Sequence, residues 1–386
     1  MFNLNNNPIS ELLGGAIESL DIPEELFRAA ATEYADVGSF LADYADGQDG
    51  WEIYPQGSFL LGTVVQPLGR DEYDIDLVCL RRLEKSQVTQ TELKASVGSA
   101  LVGYLAYRRG DSGAPDSCED RKRCFTLVYR RAFHLDVLPA IPDTEGSASG
   151  ILLTDRDLHA WQFSDPKAYA NWFKQQMAAE FLVKRAVLAE AERVEPEQIP
   201  DSQVKTTLQR TVQALKHHRN LYFGDDIESR PASILVTTLA AHAYKGEQDL
   251  YQALLGAAGS MPNYILEKDG RLIVPNPVQP RENFADKWAT YPERAERFEA
   301  WLGQLRSDLL AAESETGLGR IATRLSKSFG QEPVERAAER YGKGILGTQR
   351  RGALGFDPST GALGGLAVGA TKVKPHRFYG TSSSQS

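Results

Sequence analysis

Cysteine is scarce in this chain of 386 residues: only Cys79, Cys118 and Cys124 are present. That is not the even-numbered framework that staples small secreted domains, and it points to a reducing cytoplasm. Cys118 and Cys124 lack a second pair and nearby histidines, which argues against structural zinc. No run of 18 apolar residues occurs, so no membrane span is expected. The opening segment MFNLNNNPIS has neither a basic region nor an apolar one, so no secretory leader is expected. Positive charge is also in deficit: the formal net charge of −9 does not suit a protein that coats duplex DNA. Basic residues come only in short clusters, at Arg81-Arg82, Arg121-Lys122-Arg123, Arg130-Arg131 and Lys216 to Arg219. These read as solvated surface or triphosphate contacts rather than as a duplex-binding face. Ser58 lies outside a G-x-S-x-G context, the tail segment GGLAVGAT lacks a phosphate-loop lysine, and no internal repeat is visible.

What is present begins with ordinary globular composition, 42% apolar and 25% charged. The length suits two domains or one bilobal unit. Asp21-Ile22-Pro23-Glu24-Glu25 reads as a helix start with Asp21 as N-cap. Leu26, Ala30, Tyr34, Val37, Leu41 and Tyr44 then recur at helical spacing, predicting a long helix that ends before Gly47. A strand over Trp51 to Tyr54 follows. Phe125 to Tyr129 reads as a strand hairpinned to a strand from Phe133. After Pro142 the pattern turns helical, with helices expected at 166–193, along Val204 to Tyr222, from Pro231 to Tyr244, and at 291–312 and 329–341. Pro275 to Pro280 reads as a structured loop. From Gly342 onward glycine is frequent and periodicity fades, which predicts a mobile tail over 343–386.

The most informative stretch is QGSFLLGTVVQPLGRDEYDIDLVCL, from Gln56 to Leu80. In an extended strand Asp74, Asp76 and Val78 share one face, while Tyr73, Ile75, Leu77 and Cys79 share a packed one. Two like charges fixed side by side repel unless a cation lies between them. Oxygen-only ligands suit magnesium or manganese. A Gly-Ser turn nearby offers backbone N–H groups and a hydroxyl to phosphate. In Phe133-His134-Leu135-Asp136-Val137, Asp136 points opposite its apolar neighbours. If the two strands are neighbours in one sheet, Asp74, Asp76 and Asp136 converge. Three acids around two ions are what in-line nucleotidyl transfer uses.

With Gly57-Ser58, Asp74-x-Asp76 and Asp136 in view, the chain resembles the polymerase-beta-type nucleotidyltransferases. The longer match, QGSFLLGTVV then DEYDIDLV, is similar to the CD-NTases, the bacterial cyclic-oligonucleotide synthases of anti-phage signalling. The resemblance covers roughly residues 20 to 310. It implies an α/β (α+β) fold with a polymerase-beta-like lobe carrying a mixed sheet, a helical second lobe and a long N-terminal spine helix. Expected boundaries are 1–160 for the nucleotidyltransferase core, 161–342 for the helical lobe and 343–386 for the tail. It implies a cyclic di- or trinucleotide synthase that uses nucleoside triphosphates, ATP first among them, and releases pyrophosphate in the cytoplasm. Asp74, Asp76 and Asp136 would be catalytic and hold two Mg2+ or Mn2+ ions. Ser58 and Lys216, with Gln56, Gly57 and Ser233, would hold the substrate. The resemblance also implies a regulator acting on the tail: a peptide-clasping HORMA-type protein or a ubiquitin-transfer-like enzyme, with Val373 to Gly380 as the handle. Two alternatives stay open: template-free tailing of RNA or a small-molecule acceptor, and a non-catalytic nucleotide-binding scaffold.

Overall fold

The structure is a computed structural model describing residues 7–44, 51–66, 73–130, 132–154, 160–356, 363–365 and 371–373. In chain order its helices and strands begin α1 (Pro8–Glu18), α2 (Glu24–Tyr44), β1 (Trp51–Gln56), α3 (Gly57–Leu61), β2 (Tyr73–Arg81) and α4 (Gln90–Tyr107). There follow β3 (Ser117–Asp120), β4 (Phe125–Tyr129), β5 (Phe133–Pro142), β6 (Ile151–Leu153) and β7 (Gln162–Ser164). Next come α5 (Pro166–Gln176), α6 (Ala178–Glu192), α7 (Thr207–Phe223), α8 (Ser233–Ala243) and α9 (Leu250–Ser260). The chain then gives β8 (Leu266–Lys268), β9 (Arg271–Ile273), α10 (Glu293–Glu313), α11 (Leu318–Phe329) and α12 (Gln331–Arg350). Strands β10 (Leu354–Phe356), β11 (Leu363–Gly365) and β12 (Thr371–Lys372) come last.

Packing divides the chain into Met1–Ser19 with Asp249–Tyr251 and Ser307–Ser386, and Leu20–Gln248 with Gln252–Arg306. In the first unit Arg340 bonds the Gly15 carbonyl and pairs with Glu18 at 3.3 Å, tying α12 to α1. The helix expected over 329–341 runs on to Arg350, because Val334, Ala337, Tyr341 and Thr348 keep one buried face through the glycines. The proposed handle is described only at Val373, whose N–H bonds the Leu354 carbonyl at 2.9 Å. Its remaining residues, Lys374 to Gly380, lie outside the described residues.

The larger unit is built on a sheet with strand order β1-β2-β5-β4-β3, extended by β6 paired to β5 and by β7 paired to β6. β2 and β5 run parallel and the other pairs antiparallel, so the sheet is mixed as expected. Alternation decides its faces. Tyr73, Ile75, Leu77 and Cys79 pack with Phe133, Leu135, Val137 and Leu127 beneath Ala30, Val37 and Leu41 of α2 and Val97, Leu101 and Tyr104 of α4. Burying this set is the chief stabilising term for the unit, since each large apolar side chain removed from water contributes roughly 1.5–3 kcal/mol. α2 begins at Glu24, later than the expected cap, and Asp21 instead binds Arg210 and Gln213 of α7 at 2.7 and 2.8 Å. A distant cation thus overrides the local capping rule. The loop from Pro275 is fastened by the Asn276 N–H to Glu282 carbonyl bond of 2.8 Å and by the Arg281–Asp143 ion pair next to the end of β5.

Candidate active site

The strand register sets four side chains in a row. Gln56 of β1 lies opposite Asp76 of β2, Asp76 beside Asp136 of β5, and Asp136 opposite Thr126 of β4. Neighbouring strands lie about 4.7–4.9 Å apart, so the two carboxylates are adjacent without any folding of loops. The Thr126 hydroxyl donates to Asp136 Oδ1 at 2.5 Å. One pleat earlier Asp74 lies beside His134, whose Nδ1 is 3.6 Å from Asp74 Oδ1. Asp74 is 71% exposed, at the mouth rather than the floor.

The Gly-Ser pair opens α3 directly from the end of β1. Gly57 adopts φ +62°, and a Cβ there would stand 2.4 Å from Asp76 Oδ2. Only glycine lets this backbone approach the carboxylate so closely. Beyond α3, the segment that returns toward β2 is held by α7. Gln209 Nε2 donates to the Leu61 carbonyl at 2.9 Å and Lys205 Nζ to that of Gly62 at 2.9 Å. Lys216 Nζ donates to that of Thr63 at 3.1 Å and Gln213 Nε2 to that of Val64 at 2.7 Å. Four successive carbonyls are therefore met, three of them by Gln209, Gln213 and Lys216, three and four apart on one face of α7, and one by Lys205 just before the helix. Lys216 also donates to the Thr63 hydroxyl at 3.1 Å. An ammonium has three N–H groups, so one is left for a ligand. Lys216 is buried and not the surface lysine that its sequence context allowed.

Farther along α7, Arg219 spans to the start of α8, donating to the Pro231 carbonyl at 2.9 Å and to Ser233 Oγ at 3.1 Å. Ser233 is the first residue of α8. Asp74, Asp76, Asp136, Ser58, Lys216 and Ser233 all line one cleft of about 790 Å³, along with Gly57, Arg219, Asn220 and Arg230. Gln56 joins the row through strand register instead of lining that cleft. Thr63, Thr126, Arg219, Asn220 and Arg230 were not singled out by motif. Thr126 was open to detection, since it alternates with Phe125, Leu127 and Tyr129, and Arg219 lay within a noted basic cluster.

Electrostatics follow from this crowding. Burial, and then the Asp136 and Asp74 charges, push the Asp76 carboxyl up to about 7, with Lys216 opposing. Burial and then the Arg219 charge bring Lys216 down to about 7. Burial and then Arg230 bring Arg219 down to about 9. A divalent cation would relieve the carboxylate repulsion. Among the described residues no three acid, histidine or cysteine side chains are gathered closely enough to cage an ion unaided. Asp76 and Asp136, side by side, could hold a cation such as magnesium, which keeps waters and takes substrate phosphates beside one or two carboxylates. The convergence expected of three acids is closest for Asp76 and Asp136, with Asp74 leaning on His134.

A second cavity of about 640 Å³ borders two of the acids, Asp74 and Asp136. It shares Asp74, His134 and Asp136, and continues past Thr126 to Arg121, Lys122 and Arg123 in the β3–β4 turn and to Lys287.

Residues 17–176 match a family profile described as the Second Messenger Oligonucleotide or Dinucleotide Synthetase domain. A c-di-GMP synthase of Roseivirga ehrenbergii is 31% identical over 378 residues, spanning 96% of this chain and 97% of that protein. The cyclic dinucleotide synthase CdnG of Bradyrhizobium diazoefficiens is 25% identical over 95% of this chain and 93% of its own length. The solved structure of that CD-NTase, in complex with GTP, superposes with a TM-score of 0.70 at 22% identity, covering 87% of this chain and all of that one. The fold is thus the polymerase-beta-like one. With a synthase of this kind 31% identical over nearly its whole length, the chain belongs to the CD-NTase family of nucleotidyltransferases.

Proposed function

We propose that this chain condenses two molecules of GTP into cyclic di-GMP, releasing two molecules of pyrophosphate. The observation that carries the reading is the row Gln56–Asp76–Asp136–Thr126 at one cleft with Lys216, Arg219 and Arg230. The choice of GTP over the expected ATP is supported by the name of the Roseivirga relative. Each linkage forms a bond from a ribose hydroxyl oxygen to the α-phosphorus of the other nucleotide. The bond from that phosphorus to its bridging oxygen breaks, pyrophosphate leaves with the electron pair, and the hydroxyl proton passes to water.

In this reading Asp74, Asp76 and Asp136 hold divalent magnesium or manganese, two ions by analogy with the chemistry. When bound, such ions acidify the attacking hydroxyl and neutralise the leaving pyrophosphate. Ser58 and the backbone freed by Gly57 lie against the donor phosphates. Lys216, aimed by Thr63, supplies its remaining N–H to them, and Arg219 sets Ser233 toward the same group. Thr126 orients Asp136. The product would act as a second messenger in anti-phage signalling, with the tail as the regulator's handle. Incubation with each nucleoside triphosphate and magnesium, followed by phosphatase and mass spectrometry, tests the reading. A phosphatase-resistant cyclic di-GMP peak is expected from GTP alone. A ladder on an RNA acceptor would favour tailing, and no conversion of any nucleotide would favour a scaffold.

A further inference from the structure

Resting on that reading for its kinetics, we propose that Asp21 is a positioning residue: from outside the cleft it sets the acid-bearing strand β2 against the phosphate-gripping helix α7. Four stretches of chain meet there. Asp21 Oδ1 accepts from Arg210 Nη1 at 2.7 Å and from Gln213 Nε2 at 2.8 Å, both on α7. The Asp21 carbonyl accepts from the Tyr73 hydroxyl at 3.4 Å, and Tyr73 is the first residue of β2, next to Asp74. The preceding carbonyl, of Leu20, takes the Gln66 N–H at 3.0 Å. Gln213 closes the node. Its Nε2 also donates to the Val64 carbonyl at 2.7 Å, and its Oε1 accepts from Arg210 at 3.0 Å. Both amide N–H groups and the amide oxygen are thereby used.

The node reaches both sides of the reacting centre. Lys216 follows Gln213 by three residues on the same face of α7, and Thr63, Val64 and Val65 line the main cleft. Asp76 follows Tyr73 by three residues on β2. A shift at Asp21 is therefore passed to the phosphate grip through α7 and to the carboxylates through β2. Charge makes its position exacting. The Asp21 and Arg210 side chains are 25% and 14% exposed. Burial brings Lys205 below the ordinary lysine range, with the Asp21 charge opposing and that of Arg210 assisting. Without the Asp21 carboxylate, these two cations would repel with no charge between them, and repulsion grows as water is excluded. Lys205 holds the Gly62 carbonyl, so the strain would fall on the segment after α3.

Calorimetry of a non-hydrolysable GTP analogue, with magnesium and with EDTA, compares the full-length wild type with Asp21→Ala. Alignment of the phosphate grip with the carboxylates shows as coupling: magnesium should tighten the analogue by about tenfold or more in the wild type. Asp21→Ala should match the wild type in EDTA but gain less than about threefold from magnesium. At a temperature where circular dichroism shows both folded, kcat should fall about 100-fold, the loss that ~1 Å of misplacement brings, and well beyond any rise in KM. Asp21→Asn keeps an oxygen for Arg210 and Gln213 and should recover much of both quantities. Arg210→Met should copy Asp21→Ala, and the double variant should be no slower than either alone. A lowered unfolding temperature with full magnesium coupling and wild-type kcat in Asp21→Ala would make the residue merely structural and overturn the proposal. If Asp21→Ala does not fold, wild-type coupling in Arg210→Met would overturn it equally. The coupling is read without turnover, so it decides the proposal even where the wild type joins no GTP, an outcome that would remove the synthase reading alone.

Discussion

Gly57→Ala is the sharpest perturbation the site offers. Its φ of +62° costs an L-residue roughly 1–2 kcal/mol. The added Cβ would lie 2.4 Å from Asp76 Oδ2, where ordinary contact begins near 3.4 Å, so the carboxylate or the α3 backbone must retreat by about 1 Å. A displacement of that size in reacting groups costs on the order of 10²-fold in rate. The variant should therefore fold with a modest stability loss, about 1–3 kcal/mol, yet turn over GTP about 100-fold more slowly. Gly270→Ala is the matched control. Gly270 sits between β8 and β9 at φ +70° with nothing within 4 Å of its would-be Cβ. It should show a similar thermal shift and wild-type turnover. Initial rates of pyrophosphate release, measured with thermal unfolding, separate the two effects. Wild-type turnover by Gly57→Ala would refute the claim that this glycine serves the Asp76 carboxylate.

Other perturbations act on the same site. Asp76 ionises in the folded chain only as pH rises through about 7, above its ordinary 3.8, so stability from its protonated form is complete below pH 4 and lost between the two values. Asp76→Asn should flatten that slope and raise the stability at pH 8 without metal, by at most ~4 kcal/mol and less where cleft water screens it, read as a higher unfolding temperature. Added magnesium should raise the wild-type unfolding temperature and leave the Asp74→Asn/Asp76→Asn double variant unmoved. Lys216→Met should weaken a non-hydrolysable GTP analogue by about 10- to 150-fold in calorimetry, the range of a charge-assisted contact. Thr126→Val should cost ~1 kcal/mol or less in stability and slow synthesis by about tenfold, by freeing Asp136. Deleting residues 371–386 should leave nucleotide binding intact and abolish capture of a regulator in a pull-down, if the tail is the handle.

Much of the site was legible because strand alternation has period two. Asp74 and Asp76 against Ile75 and Leu77, and Asp136 against Leu135 and Val137, needed only the assumption that the strands were neighbours. The parallel register then supplied the pairing of Asp76 with Asp136. What stayed hidden involves distant partners. Gln209 and Gln213 read as polar positions on a helix, yet their amides meet carbonyls 148 and 149 residues away. Asp21 obeyed a local capping rule until Arg210, 189 residues on, claimed its carboxylate. Gly342, Gly344 and Gly347 masked a helix whose face is held by Tyr341 and Thr348. Glycine lowers propensity, but burial of one face overrides it.

The most direct test is mass spectrometry of the phosphatase-treated products from GTP and magnesium, with wild type and the Asp74→Asn/Asp76→Asn variant side by side. The account predicts cyclic di-GMP from the wild type and none from the variant, with both proteins folded. Cyclic product from the variant, or its absence from the wild type with every nucleoside triphosphate, would contradict it.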